Sequence, residues 1–406
     1  MQAVFIKRAL TSLLENALKH IRCIFITGPL GEGKTSLLKT LYPKESFVNL
    51  DCCFVRLDAF DSATDLLNKY QGSLVIDEIQ KSKPVLNKLK EKYKKEDQGF
   101  VFICSNTSLF DESKYKNLLP EYLHFELSGL SLREIFKVAF NKPFLPTKDY
   151  LSSREQELVS YENVWWHIFK GSYPALYQSN DLSDSKVQEY YSEYFAHYVE
   201  GLFKYHRDCI KFAKFVAAVA LCTNCKLNLS KLSREAEISL AKVKKWLSLL
   251  LHTGLIYLVK PYDYQKQKRL SCKIYFRDTG LACYATQHIT CETTKLSVYA
   301  TNLFKTFVVN EMIKSYLNAG DSFEDTLFYY PVEDSFIDVV LQKENTVYPV
   351  AIHKNKLLPK DLITEFNHVK SEKNSKLKRG LGVVLCLTEQ KTYLKDNIVA
   401  LPISYL

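Results

Sequence analysis

The run Gly28-Pro29-Leu30-Gly31-Glu32-Gly33-Lys34-Thr35 fits the phosphate-binding pattern G-x-x-x-x-G-K-[ST] at every fixed position. It follows the apolar segment Cys23-Ile24-Phe25-Ile26 and precedes a helix expected from near Lys34, which is the strand–loop–helix setting the pattern requires. Glycines allow the tight turn that aims successive backbone N–H groups at a triphosphate, and the helix N-terminus adds partial positive charge. Lys34 would then reach the β- and γ-phosphates and Thr35 would set its hydroxyl on Mg²⁺, with Gly28 through Ser36 lining the nucleotide. The alternative is an ordinary glycine turn, which the flanking strand and helix make a weak reading.

A second constellation completes such a site. Leu74-Val75-Ile76-Asp77-Glu78 reads as a buried strand ending in two carboxylates. Adjacent acids there are costly unless a metal or ligand uses them. Asp77 would hold Mg²⁺ and Glu78 would orient or deprotonate the attacking water. A helix-capping Asp-Glu pair is the bland alternative. After the apolar run Phe100-Val101-Phe102-Ile103-Cys104, Asn106 or Thr107 could sense the γ-phosphate, and a capped turn explains them equally well.

The elements that must position these residues alternate. A helix is expected over Phe5 to Leu18, then the first strand, a helix over Ser36 to Leu41 and a strand Phe47-Val48-Asn49-Leu50 with Asp51 at its end. A helix over Ser62 to Tyr70 and the acid-ended strand follow. That order implies a mostly parallel sheet with ligand at the strands' carboxyl ends. At 406 residues the chain suggests two to four domains, and 47% hydrophobic with 25% charged residues suits a soluble globular protein. Met1 to Arg8 lacks a signal peptide's apolar core, and Phe215 to Cys222 is too short to span a bilayer, so a cytoplasmic chain without a membrane partner is expected. Eleven cysteines, mostly in apolar runs such as those of Cys23, Cys104 and Cys386, suit reduced thiols, and Cys222-Thr223-Asn224-Cys225 alone is a poor zinc signal. The net charge of +10 permits nucleic acid without demanding it.

Arg8, the phosphate loop, Asp51, Val75-Ile76-Asp77-Glu78-Ile79-Gln80 and Leu130-Ser131-Leu132-Arg133-Glu134 together resemble the bacterial and archaeal AAA-type ATPases that carry a winged helix and a C-terminal restriction-endonuclease-like domain. The resemblance implies an α/β fold divided into a P-loop ATPase domain at 1–140, a helical linker region at 141–205, a winged helix at 206–286 and a nuclease-like domain at 287–406. It also implies ATP as the nucleotide; Mg²⁺ and the catalytic set of Glu78, Lys34 and Asn106 are read from the motifs themselves. Two departures stand out. The loop begins Gly-Pro-Leu-Gly where the family usually has Gly-Pro-Arg-Gln, and Pro120-Glu121 stands where Gly-Arg is usual. If that arginine neutralises transition-state charge, binding survives and hydrolysis is slow.

In the middle, Phe144 to Ser153 reads as an irregular boundary. Trp165-Trp166-His167 to Gly171-Ser172-Tyr173-Pro174-Ala175 resembles the family's Gly-x-Tyr-Pro segment, and Tyr190, Tyr191, Tyr194, Phe195 and Tyr198 form an aromatic helical face expected to be packing core. Leu229 to Ala236, the turn Glu237-Ile238-Ser239 and Leu240 to Thr253 read as helix-turn-helix, with a wing from Leu255. Lys242, Lys245, Lys266, Lys268 and Arg269 are the candidate contacts to double-stranded DNA, against a lid or oligomer contact with solubilising lysines. Lys273-Ile274-Tyr275-Phe276-Arg277-Asp278-Thr279-Gly280-Leu281 matches a family signature. In the nuclease-like region Glu311 and Asp338 fill two acid positions, but Ala351-Ile352-His353 replaces Glu-x-Lys, so no nuclease activity is expected and both acids are read as ordinary surface or capping carboxylates. A protein client or a second copy of the chain is a further candidate partner.

Overall fold

The computed structural model describes residues 6–17, 19–41, 47–70, 74–95, 101–105, 122–178, 182–200, 202, 206–262, 270–359, 361–366, 369 and 377–406. Strand β1 (Cys23–Thr27) is buried along its whole length. Cys23 and Phe25 enter one apolar cluster with Val48 and Ile76, while Ile24 and Ile26 enter another with Leu10, Leu14 and Leu37. A strand apolar on both faces belongs inside a parallel sheet covered on both sides. Such a sheet is present: β2 (Phe47–Asn49), β3 (Leu74–Asp77), β4 (Val101–Ser105), β1 and β5 (Leu123–Glu126) lie in that order, all parallel. Register sets Thr27 beside Ser105 and Glu126, and Asn49 beside Asp77, so the polar strand ends share one edge.

The covering helices are α1 (Leu10–Ala17), α2 (Lys34–Leu41), α3 (Cys53–Asn68) and α4 (Lys83–Lys95). Two differ from expectation. Helix α1 starts later than Phe5, because Arg8 turns its side chain inward to three partners and the chain around it is not helical. Helix α3 begins at Cys53 rather than Ser62. The backbone breaks at Ser62 (φ −156°, ψ 98°), whose hydroxyl accepts the Asp65 amide as an N-cap does. The expected start was the cap of the second half alone.

From Leu130 to Leu406 a large apolar core joins most of the remaining elements, and a second cluster, with Ile337, Val340, Leu362, Phe366 and Val384, covers the other face of the C-terminal sheet. The stretch 144–153 is not irregular throughout: Lys148–Glu155 is helical, Phe144 and Tyr150 are buried, and the Phe144 amide donates to Ser315. Helix α5 (Leu132–Ile135) carries a full capping box from Ser131 and Glu134. Helices α6 (Val164–Lys170) and α7 (Asp184–Glu200) follow, and the tyrosines of α7 are packed as expected, Tyr191, Tyr194 and Tyr198 all being buried. Next come α8 (His206–Leu221), β6 (Cys225–Lys226), α9 (Leu229–Glu235), α10 (Leu240–His252), β7 (Ile256–Val259) and β8 (Lys273–Phe276), with the antiparallel sheet order β6-β8-β7. Helices α11 (Thr279–Ala285) and α12 (Ala300–Asn318) lead to β9 (Leu327–Tyr329), β10 (Ile337–Lys343), β11 (Thr346–His353), β12 (Lys378–Arg379), β13 (Gly382–Cys386), β14 (Thr392–Lys395) and β15 (Ile398–Pro402). These form a mixed sheet of order β14-β15-β13-β11-β10-β9, with β12 beside β11. Among the described residues no helix is long and apolar enough to cross a membrane.

Candidate functional site

The glycine loop leaves β1 and enters α2 with Gly33 at φ 90°, a left-handed conformation that a side chain would strain. Lys34 folds back over it, its Nζ donating to Gly28 O at 2.7 Å and Pro29 O at 2.8 Å. Thr35 Oγ1 donates to Asp77 Oδ2 at 2.7 Å, so two groups 42 residues apart in sequence touch at the sheet edge. Glu78 follows at φ 57° and ψ 42°, a backbone region uncommon outside glycine. Its carboxylate accepts from Gln80, and burial raises its pKa. Ser36 is exposed on the first turn of α2, and Leu30 O accepts the Tyr194 hydroxyl at 3.4 Å.

The loop is held from two sides. Arg8 is buried, and its guanidinium donates to Glu134 Oε1 at 2.9 Å, to Glu32 O at 2.7 Å and to Ser128 O. Burial pushes the Glu134 carboxyl up, but Arg8 and the Ser131 and Ala9 amides outweigh it and hold its pKa below the usual value. On the other side, Tyr173 packs so closely that a Cβ on Gly31 would lie 3.2 Å from its ring, and Pro174 stands 3.5 Å from where a Gly33 Cβ would be. The Gly-x-Tyr-Pro segment therefore covers the loop.

Sequence reasoning missed what secures that cover. Asp278 caps α11 through the Leu281 amide and also accepts from the Ser172 amide and hydroxyl and, at 2.6 Å, from the Tyr191 hydroxyl. Arg277 reaches back to the parallel-sheet region, donating to Glu126 at the end of β5 and facing Glu32 across 3.7 Å. Burial pushes Glu32 up to about 7, against the pull of Arg277, Lys34 and Arg8. The cue was visible: Arg277-Asp278 ends the apolar run Ile274-Tyr275-Phe276, just as Asp77-Glu78 ends Leu74-Val75-Ile76.

The other candidates separate. Asn106, Thr107 and Pro120-Glu121 lie outside the described residues, as do Lys266, Lys268 and Arg269. Lys242 is half-buried, its Nζ 2.7 Å from Asp208 and 4.7 Å from the Trp246 ring centre, whereas Lys245 is exposed. Glu311 and Asp338 are not surface groups. Glu311 is buried against Lys314 and caps the Leu132 amide at 2.8 Å, and Asp338 is buried against Lys305 and the Ile352 amide. The two acids have different partners, and among the described residues no group of three or more His, Cys, Asp or Glu is placed to hold a metal; Cys222 and Cys225 are free.

Residues 20–136 match the family model described as AAA domain. That span, which holds the parallel sheet and the glycine loop, is similar to AAA domains. Residues 161–291 match a domain of unknown function (DUF8612), and residues 300–406 another (DUF4143). No curated protein matches the chain. Among solved structures, the Walker-type ATPase paby2304 of Pyrococcus abyssi is 12% identical, with 70% of this chain and 96% of that one covered at a TM-score of 0.45. The ORC1 protein of Aeropyrum pernix, solved in complex with DNA, is 13% identical over 72% and 91% of the two chains at a TM-score of 0.30. The STAND protein PH0952 of Pyrococcus horikoshii, which has a tetratricopeptide repeat sensor, is 14% identical over 79% and 49% at 0.27.

Proposed function

We propose that this AAA-type chain binds Mg²⁺·ATP along Gly28 to Ser36 and hydrolyses it slowly. The observation that carries the reading is the Thr35–Asp77 contact of 2.7 Å at the carboxyl edge of a parallel sheet. A hydroxyl and a carboxylate at that spacing are hard oxygen donors suited to Mg²⁺. A bound Mg²⁺ would neutralise charge on the β- and γ-oxygens. Lys34 would exchange two loop carbonyls for phosphate oxygens, and Glu78 would orient the attacking water, its raised pKa favouring proton capture.

The rest of the chain we read as the part that responds. The unit from α8 to β8 is taken as a winged helix, and the mixed sheet with α12 as a nuclease-like domain without nuclease activity, since Lys305 already neutralises Asp338. Nucleotide would shift these parts through the Tyr173-Pro174 cover, with a protein client or a second copy receiving the motion. The exposed Lys244 and Lys245 on α10 make duplex DNA the second candidate partner. The test is thermal unfolding with Mg²⁺·ATP. Saturation at about a hundred times Kd stabilises the native chain by about 2.7 kcal/mol, and Lys34→Ala removes the effect. An unchanged melting temperature for the parent chain overturns the reading.

A further inference from the structure

Glu32 is an acid inside a loop suited to anions. The residue is only 5% exposed, its Oε2 makes no hydrogen bond, and the facing Arg277 Nη2 makes none either. The charged groups around it are Arg277 from the segment after β8, Lys34 from α2, Arg8 from before α1 and Glu126 from β5. Arg8 is engaged by Glu134 and two carbonyls, and Lys34 by the loop's own carbonyls. Arg277 Nη2 faces Glu32 Oε2 at 3.7 Å.

What fixes Arg277 lies outside the nucleotide domain. Its amide donates to Leu255 O at 2.9 Å, its carbonyl accepts from Asn310 on α12 at 2.9 Å, and its guanidinium stacks 4.4 Å from the Tyr257 ring centre. The next residue is the Asp278 anchor. A triphosphate entering the loop brings several negative charges beside Glu32, and an uncompensated buried carboxylate there opposes it. We propose that Arg277 is the counter-charge that allows this phosphate loop to carry Glu32, so that nucleotide affinity depends on where the β6-β8-β7 sheet and α12 hold Arg277. The proposal rests on the reading that Gly28 to Ser36 binds nucleotide. Arg277 is a positioning residue: it acts on nucleotide through Glu32. Nucleotide binding and the placement of the sheet are then reciprocally linked.

The experiment is calorimetric titration of the full chain with Mg²⁺·ATP near pH 8.5, above the parent chain's Glu32 value of about 7. Arg277→Gln weakens binding by roughly tenfold or more, Arg277→Lys retains most of it, and Glu32→Gln/Arg277→Gln returns to within about twofold of Glu32→Gln alone. An Arg277→Gln chain that binds as the parent does, or a double variant as weak as Arg277→Gln, overturns the proposal. Should Arg277→Gln fail to fold, hydrogen exchange on the parent chain decides. Amides of 273–281 are expected to exchange more slowly with nucleotide, and unchanged exchange overturns the link. A parent chain and Glu32→Gln that both bind no nucleotide overturn the ATP reading itself.

Discussion

Asp77 and Asp338 are both buried acids on apolar strands, and the molecule uses them in opposite ways. Asp77 ends a strand of a parallel sheet and accepts a threonine hydroxyl beside a helix N-terminus. Asp338 lies near the start of β10, and its two oxygens take the Lys305 ammonium at 2.6 Å and the Ile352 amide at 2.8 Å. A hydroxyl can be traded for a shared cation, because it brings no charge of its own. An ammonium neutralises the carboxylate within the fold. The acid and its strand set the cost of burial, and the partner delivered from elsewhere in the chain decides whether the acid can act on anything but the protein.

The largest effect should come from breaking the second pair. Lys305→Met takes from buried Asp338 its hydrogen-bonded counter-ion, leaving only the Ile352 amide and the nearby Lys273 charge, and we expect a loss of about 3 kcal/mol in urea unfolding. Lys305→Met/Asp338→Asn recovers most of it, since a neutral amide needs no counter-ion. Equal losses in single and double variants would mean that Lys305 acts through packing instead. The corresponding change at the first site should look different. Asp77→Asn keeps shape and a hydrogen-bonding oxygen for Thr35, so stability without nucleotide shifts by less than about 1 kcal/mol. Nucleotide affinity in Mg²⁺ falls by on the order of tenfold relative to EDTA-treated samples, where the two chains bind alike. A large stability loss in Asp77→Asn would erase the contrast between the sites.

The asymmetry also explains how far the residues could be read in advance. The phosphate loop and Asp77-Glu78 carry local signals: fixed spacing, an apolar strand before each, and a helix after the first. The parallel sheet follows from runs apolar on both faces. What stayed hidden joins residues more than a hundred positions apart. Arg8 meets Glu134, Arg277 meets Glu32 and Glu126, and Asp278 meets Ser172. No local period or turn chemistry encodes such pairs. Asp338 and Lys305 are only 33 positions apart but lie on different elements, so a surface role for Asp338 fits the sequence until α12 brings Lys305 to it. Ser62 shows the converse: a strong local cap marked a true helix start and concealed that another helical segment runs into it.

The smallest expected effect sets the glycine loop against helix α6. Burial lifts Glu32 to about 7, while burial, aided by Lys170 and Lys314, lowers His167 to about 4. The signs are opposite. The native state holds the Glu32 proton to higher pH than the unfolded chain does, so ionising Glu32 removes stability as pH rises from its unfolded value through about 7. Native His167 resists protonation, so its contribution is complete above the unfolded value near 6.5 and is lost as pH falls toward about 4. Between about pH 6 and pH 8, Glu32→Gln should therefore gain about 1 kcal/mol relative to the parent chain in denaturant unfolding, whereas His167→Gln should lose ground over the same interval. If the Glu32→Gln and parent curves run parallel across that range, Glu32 is not the buried acid that the loop and Arg277 make it.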